Sequence, residues 1–267
     1  MNSVQQNPTR KAMDIPNTLT DDQRRISSRR ITLVLAGHGS SENPESGAPI
    51  HRHADRIRRL ALFDDVRPAF WNESPEFRRS LCDVGSEAVV IVPVFMSEGY
   101  YVQQVLPREF GIAGEQPDRE TSVHLTKPIG THGAVTSVIL GRIDEIRTTD
   151  SVLERDPPGV ALIGHGTLRN PNSKRAILDH AARVRRQTGF PEVHPFFLDE
   201  PPYVDDMLQT FRARSVIAVP LLIADGRHTR YDIPDRIGFS ERSINPETGT
   251  IREQINGRRV WYSNAIG

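Results

Sequence analysis

With a single cysteine, Cys82, in 267 residues, the chain can form neither an internal disulfide framework nor a cysteine-rich zinc or iron–sulfur site. Any metal it handles has to be met by histidine and carboxylate, and a reducing cytoplasm is the simplest compartment for it. Long apolar runs are also missing. No stretch approaches the roughly 20 residues that span a bilayer, and the start of the chain has no apolar signal core, so no membrane role is expected. Charge bias is absent too: 34 Lys and Arg balance 34 Asp and Glu. A surface for nucleic acid or another polyanion is therefore not expected from composition. What is present, 37% apolar and 25% charged residues, is enough to bury one large core or two medium ones. Residues 1–30 are rich in Asn, Gln, Thr, Asp and Arg and read as a mobile polar tail with a short helix at 21–27 and no chemistry.

The organisation follows from laying the sequence on itself. A shift of 127 positions places residues 31–107 on 158–234 without a gap, with 25 identities in 77 positions. Chance would give about five, at roughly 6% per position. Matches fall on turn and polar residues as well as apolar ones. Gly37-His38-Gly39 lies on Gly164-His165-Gly166, Asn43-Pro44 on Asn170-Pro171, His53 on His180, and Arg58-Arg59 on Arg185-Arg186. The chain is thus expected to hold two related units, 31–147 and 158–267, joined by a charged linker ending in Asp156-Pro157-Pro158-Gly159.

Within the first unit, residues 31–36, 66–71, 88–95 and the segment from 123 read as strands. Helices are expected at about 50–61, 75–84, 102–110 and 133–146. Near-continuous apolar strands alternating with helices imply an α/β fold, a four-stranded parallel sheet in each unit covered on both faces. The second unit stops at Gly267, where the first continues into a helix. One apolar face of its sheet is expected to be under-covered, and open to self-association, unless residues 241–252 fill it.

Ligands collect at the carboxyl ends of parallel strands. Both Gly-His-Gly turns belong there, and glycines on either side let the backbone turn while leaving the imidazole uncovered. Beyond the third strand of the second unit, Gly226-Arg227-His228 brings a second imidazole to the same edge. Histidines that only pair with a neighbouring loop are common, but recurrence in both units argues for function.

A strand ending in Gly-His-Gly-Thr, a second ending in Phe197-Leu198-Asp199-Glu200, and Pro220-Leu221-Leu222 followed by Gly226-Arg227-His228 and Asp232-Ile233-Pro234 together resemble the class II tetrapyrrole chelatases. This is the sirohydrochlorin cobaltochelatase and ferrochelatase family, and the resemblance covers both repeats. It implies two chelatase-like lobes facing across a cleft, a sirohydrochlorin-like tetrapyrrole between them, and insertion of Co²⁺ or Fe²⁺ for cobalamin or siroheme biosynthesis. His165 and His228 would be metal ligands and proton acceptors. No organic cofactor is implied, because the metal is itself a substrate. A carboxylate often joins the histidines in that family, which points to Asp199 with Glu200 as the alternative. Strand alternation sends the two to opposite faces, so only one should reach the site. A helix-capping role before Pro201 is equally open for Asp199.

The first unit departs from this pattern. His38 is kept, but Asn72 stands at the Asp199 position and Tyr101 at the His228 position. Neither is a usual ligand for a divalent first-row metal, so this unit is expected to shape the substrate cleft, with His38 and Tyr101 toward the macrocycle, or with His38 as a loop-packing relic. Arg227 and Arg230 are the better candidates for the substrate carboxylates; the arginines repeated on the first helices read more cheaply as a solvated face. His53 and His180 share a helix face with isoleucines and read as satisfied core histidines. Two other classes compete. A non-catalytic tetrapyrrole or metal carrier would keep the same cleft. A histidine-dependent phosphoryl-transfer enzyme is disfavoured, since Ala36 and Ile163 stand where an arginine would precede the turn, and no phosphate-binding loop is present.

Overall fold

The computed structural model describes residues 30–41, 46–112, 121–240, 245 and 249–267. The expected tail, apart from Arg30, lies outside them. The first unit contains β1 (Ile31–Gly37), α1 (Ala48–Arg58), β2 (Asp65–Phe70), β3 (Ala88–Pro93), α2 (Leu106–Glu109) and β4 (Ser122–Leu125). Its sheet runs β2-β1-β3-β4, all parallel. After α3 (Ala134–Thr149) and α4 (Val152–Arg155), the second unit repeats the pattern with β5 (Gly159–Gly164), α5 (Arg175–Gln187), β6 (Val193–Phe197), α6 (Met207–Thr210), β7 (Ser215–Pro220) and α7 (Ile233–Ile237). It closes with β8 (Ile251–Ile255) and β9 (Arg258–Tyr262), giving the order β6-β5-β7-β9-β8.

Three details differ from expectation. The second sheet has five strands rather than four, because part of the 241–252 insertion forms β8, antiparallel to β9. The two are joined by Asn256-Gly257, both at positive φ (49° and 78°), the pair that a tight hairpin between right-twisted strands requires. The helix expected at 75–84 is only a short 3₁₀ segment, Phe77–Leu81. His53 is exposed, whereas His180 is fully buried.

The last difference has the same cause as the covering of the second sheet. α3 follows the first unit in sequence but packs on the second. Its face Ile139, Ile143 and Ile146, spaced for one side of a helix, is buried against Val160, Leu162, Ile217 and Trp261 of the second sheet and against Ile177, Ala181 and Val184 of α5. Burial of each isoleucine contributes roughly 1.5–3 kcal/mol. The face left without a helix of its own is thus filled from within the chain. α3 also covers His180 on α5, and its Nε2–H donates to the Gly130 carbonyl (2.7 Å) while its Nδ1 pairs with the Thr136 hydroxyl (2.9 Å). Among the described residues no such helix covers α1, and His53 is exposed.

The repeated arginines also have a local function in the fold. Arg58 Nε donates to the Val66 carbonyl and Arg185 Nε to the Val193 carbonyl, both at 2.8 Å. Each ties the first helix of its unit to the start of the second strand, at the end of the sheet opposite the histidine turns.

Candidate active site

Strand register builds this edge. Gly37 pairs with Phe70 and Gly164 with Phe197, so His38 and His165 stand one residue past the ends of β1 and β5. The carbonyl of each histidine accepts backbone N–H groups from beyond the neighbouring strand. Trp71 and Asn72 donate to His38 O, and Leu198 and Asp199 to His165 O. The second glycine of each turn has a left-handed conformation, φ +65° at Gly39 and +71° at Gly166. A Cβ on Gly166 would also lie 2.8 Å from Glu200 Cγ and 2.9 Å from Phe197 Cβ, so the turn is closed to any other residue.

In the second unit the two imidazoles meet. The rings of His165 and His228 are perpendicular, with centroids 5.0 Å apart, and both side chains are about half exposed. His228 begins a π-helical turn, His228–Asp232, that leads into α7 with Pro234 in the helix's first turn, where no N–H is needed. His165 Nδ1 lies 3.0 Å from the Gly166 carbonyl and 3.3 Å from Asp199 Oδ2. His228 Nδ1 lies 2.7 Å from Asp232 Oδ2. Acceptors at both Nδ1 atoms place the proton there in the neutral rings and leave Nε2 as the lone-pair nitrogen of each. Among the described residues, no three His, Cys, Asp or Glu side chains are gathered into a ready-made metal cage. The arrangement offers two imidazoles and an exposed carboxylate beside them.

Asp199 and Glu200 part as strand alternation requires. Asp199 is exposed at the site. Glu200 is only 2% exposed and braces the loop after Gly166, accepting from Thr167 N–H (2.9 Å) and Ser173 Oγ (2.9 Å) and pairing with Lys174 Nζ (3.0 Å). Burial alone would raise its pKa, but the Thr167 N–H, the Lys174 ammonium and the Ser173 hydroxyl together hold it below the usual carboxylate range. Arg227 is exposed, with Nε 3.6 Å from Asp232 Oδ1; Arg230 is exposed on the same turn.

Sequence reasoning passed over two supports of this turn. Asp232 was visible as the fourth residue after His228, within helical reach. Tyr262, on β9, donates its hydroxyl to the Thr229 carbonyl (2.9 Å), and Thr229 is buried beside His228. Burial, with the Asp225 carboxylate adding to it, pushes the Tyr262 pKa up, so the phenol stays a donor. Nothing in the local sequence around His228 announces that contact, which crosses 33 residues.

The first unit has the same skeleton and different chemistry. The Tyr101 ring lies where that of His228 does, its centroid 4.8 Å from that of His38. Tyr101 stacks on Phe95 (5.9 Å, 17°) and meets Trp71 and Tyr100 edge-on. Where the second unit has two imidazoles, the first has one imidazole within an aromatic cluster. The two edges approach each other: Asn170 Nδ2 of the second unit lies 3.4 Å from Gln103 Oε1 of the first. A cavity of about 930 Å³ lies elsewhere, lined by Pro157, Arg185, Val193, His194, Arg212 and Ala213 among others. These residues sit around the amino-terminal ends of β5, β6 and β7, whereas His165 and His38 follow the carboxyl ends of β5 and β1.

The CbiX family model matches residues 32–146 and 159–267. A protein of Halobacterium salinarum named probable sirohydrochlorin cobaltochelatase is 39% identical over 253 residues, which is 88% of this chain and 85% of that protein. Among solved structures, the sirohydrochlorin chelatase SirB of Bacillus subtilis subspecies spizizenii, in complex with cobalt, superposes with a TM-score of 0.65 at 15% identity, covering 89% of this chain and 88% of that one. A multi-domain protein of Deinococcus radiodurans with structural similarity to chelatases superposes with a TM-score of 0.69 at 23% identity over 89% of this chain. This chain spans about half (52%) of that protein's length.

Proposed function

The chain belongs to the CbiX family, and on that premise we propose that it inserts a divalent metal, Co²⁺ or Fe²⁺, into sirohydrochlorin or a related tetrapyrrole, in the cytoplasm, for cobalamin or siroheme biosynthesis. The observation that carries this reading is the pair of perpendicular imidazoles of His165 and His228, 5.0 Å apart, each with Nδ1 against an acceptor. Two neutral imidazoles suit a first-row divalent ion, and a site that does not enclose the ion lets it leave. Asp199, exposed beside His165, is the carboxylate available to the ion or to a proton. Insertion releases two pyrrole protons for each metal ion that enters the ring. His165, His228 and Asp199 are the bases placed to take them and pass them to water.

The first unit supplies the other side of the substrate site. His38, Tyr101 and the aromatic residues around them offer the macrocycle face-on and edge-on contacts, while Arg227 and Arg230 offer guanidinium groups to its carboxylates. Purified protein incubated with excess sirohydrochlorin and Co²⁺, Fe²⁺ or Ni²⁺ in parallel, followed by absorbance, tests the reading. Many turnovers per protein with Co²⁺ or Fe²⁺ are expected. A single stoichiometric uptake of tetrapyrrole or metal without insertion would replace the enzyme with a carrier.

A further inference from the structure

Resting on that reading, we propose that Asp232 is a positioning residue for metal insertion, fixing the tautomer and direction of His228 so that Nε2 is the nitrogen offered to the ion. Its Oδ2 lies 2.7 Å from His228 Nδ1, and its other oxygen, Oδ1, is 3.6 Å from Arg227 Nε. Asp232 closes the π-helical turn that His228 opens, and the side chains four residues apart face each other across it. An acceptor at Nδ1 keeps the ring proton on that atom, leaves the Nε2 lone pair unprotonated, and resists rotation of an imidazole that is otherwise half exposed.

The internal repeat supplies an independent control. The first unit has the same π-helical turn, Tyr101–Val105, after the same third strand. There the His228 position holds Tyr101, the Asp232 position Val105 and the Arg227 position Tyr100. The imidazole, its carboxylate and the cation behind that carboxylate are replaced together, while the glycine before them and the proline after them stay (Gly99 with Gly226, Pro107 with Pro234). If Asp232 served only to hold the turn, the first unit would need it as much as the second. The turn forms there without it, so the carboxylate goes with the histidine and not with the backbone.

The test uses the full-length protein and begins without metal. In ¹⁵N-histidine spectra near neutral pH, with the His228 signals identified by their loss in His228→Gln, the wild type is expected to show a protonated Nδ1 and a lone-pair Nε2. Asp232→Ala is expected to move His228 toward the other tautomer. Asp232→Asn, whose side-chain oxygen still accepts from Nδ1–H, keeps the wild-type tautomer. Co²⁺ titration should then show affinity reduced about 10–100-fold in Asp232→Ala, less in Asp232→Asn, and unchanged by Asp232→Ala once His228 is already Gln. Circular dichroism melts of each variant separate these effects from unfolding. A His228 tautomer indifferent to Asp232→Ala, or an equal loss of Co²⁺ affinity in the His228→Gln background, would overturn the proposal. A tautomer that switches in a protein that inserts no metal would overturn the chelatase reading and leave the positioning of His228 by Asp232 standing.

Discussion

Glu200→Gln tests whether the loop behind His165 is held by a buried charge. The carboxylate accepts two short hydrogen bonds, from Thr167 N–H and Ser173 Oγ, and pairs with Lys174 at 3.0 Å. Hydrogen bonds to a charged group contribute about 1.5–3 kcal/mol and neutral ones about 1, so glutamine loses roughly 0.5–2 kcal/mol at each of the first two. Lys174 is 37% exposed, and solvent screening limits the ion pair to about 1 kcal/mol. The total is about 2–5 kcal/mol, a fall in Tm of roughly 4–20 °C for a domain of this size. The repeat again provides the control. Glu73, at the matching position, faces Gly47 where Glu200 faces Lys174, and His51 lies 3.5 Å from it. Among the described residues its buried Oε2 has no hydrogen-bond partner, so removing that charge costs little. Glu73→Gln is therefore expected to lose less than about 1 kcal/mol.

The pH dependence has a definite sign. Because the folded pKa of Glu200 is lowered, its contribution is present above the ordinary carboxylate range and is lost as pH falls through the lowered value. Thermal and urea melts followed by circular dichroism between pH 3 and pH 7, values set by the usual carboxylate pKa of roughly 4.3, give the comparison. Glu200→Gln should lose stability most at neutral pH and converge on the wild type in acid. Equal losses in Glu200→Gln and Glu73→Gln, or a loss in Glu200→Gln that does not shrink in acid, would show that no buried charge holds this loop.

Burial is the main cause of the lowered pKa of His180, so the unfolded chain takes up the proton first as pH falls below the usual imidazole value of about 6.5. His180→Ala should cost roughly 2–4 kcal/mol near neutral pH through the lost bonds to Gly130 and Thr136, and should flatten the decline between pH 6.5 and the lowered folded value, measured by the same melts. Gly166→Ala should be more damaging than its neighbours' exposure suggests. It combines a left-handed φ, costing about 1–2 kcal/mol, with a Cβ driven into Glu200 and Phe197, and its Co²⁺ affinity should fall along with its Tm.

How far the sequence was legible depended on how local each signal was. The repeat, the parallel strands and the histidine turns could be read because one pattern occurs twice. β8 was missed although its hairpin signal, Asn256-Gly257 between alternating segments, was present; it lay in what looked like an insertion. The placement of α3 was not legible, since its apolar face fits a sheet of either unit and only packing selects the second. Alternation separated Asp199 from Glu200, but which one is buried is settled by Ser173 and Lys174, some 26 residues upstream of Glu200 in the case of Lys174. Asp232 stood in plain view within the motif. Its contact with Nδ1 depends on the π-helical turn, which no periodicity announced.

We assign metal insertion to the second unit and aromatic contact with the macrocycle to the first. Initial insertion rates with sirohydrochlorin and Co²⁺, measured for His165→Ala, His228→Ala, His38→Ala and Tyr101→Phe with folding verified by circular dichroism, check this assignment. Loss of insertion is expected in His165→Ala and in His228→Ala, since one imidazole cannot hold the ion in a defined geometry. His38→Ala should be intermediate, and Tyr101→Phe, which keeps the ring stacked on Phe95, should retain most of the rate. Insertion that survives in His228→Ala and vanishes in Tyr101→Phe would assign the chemistry to the first unit instead.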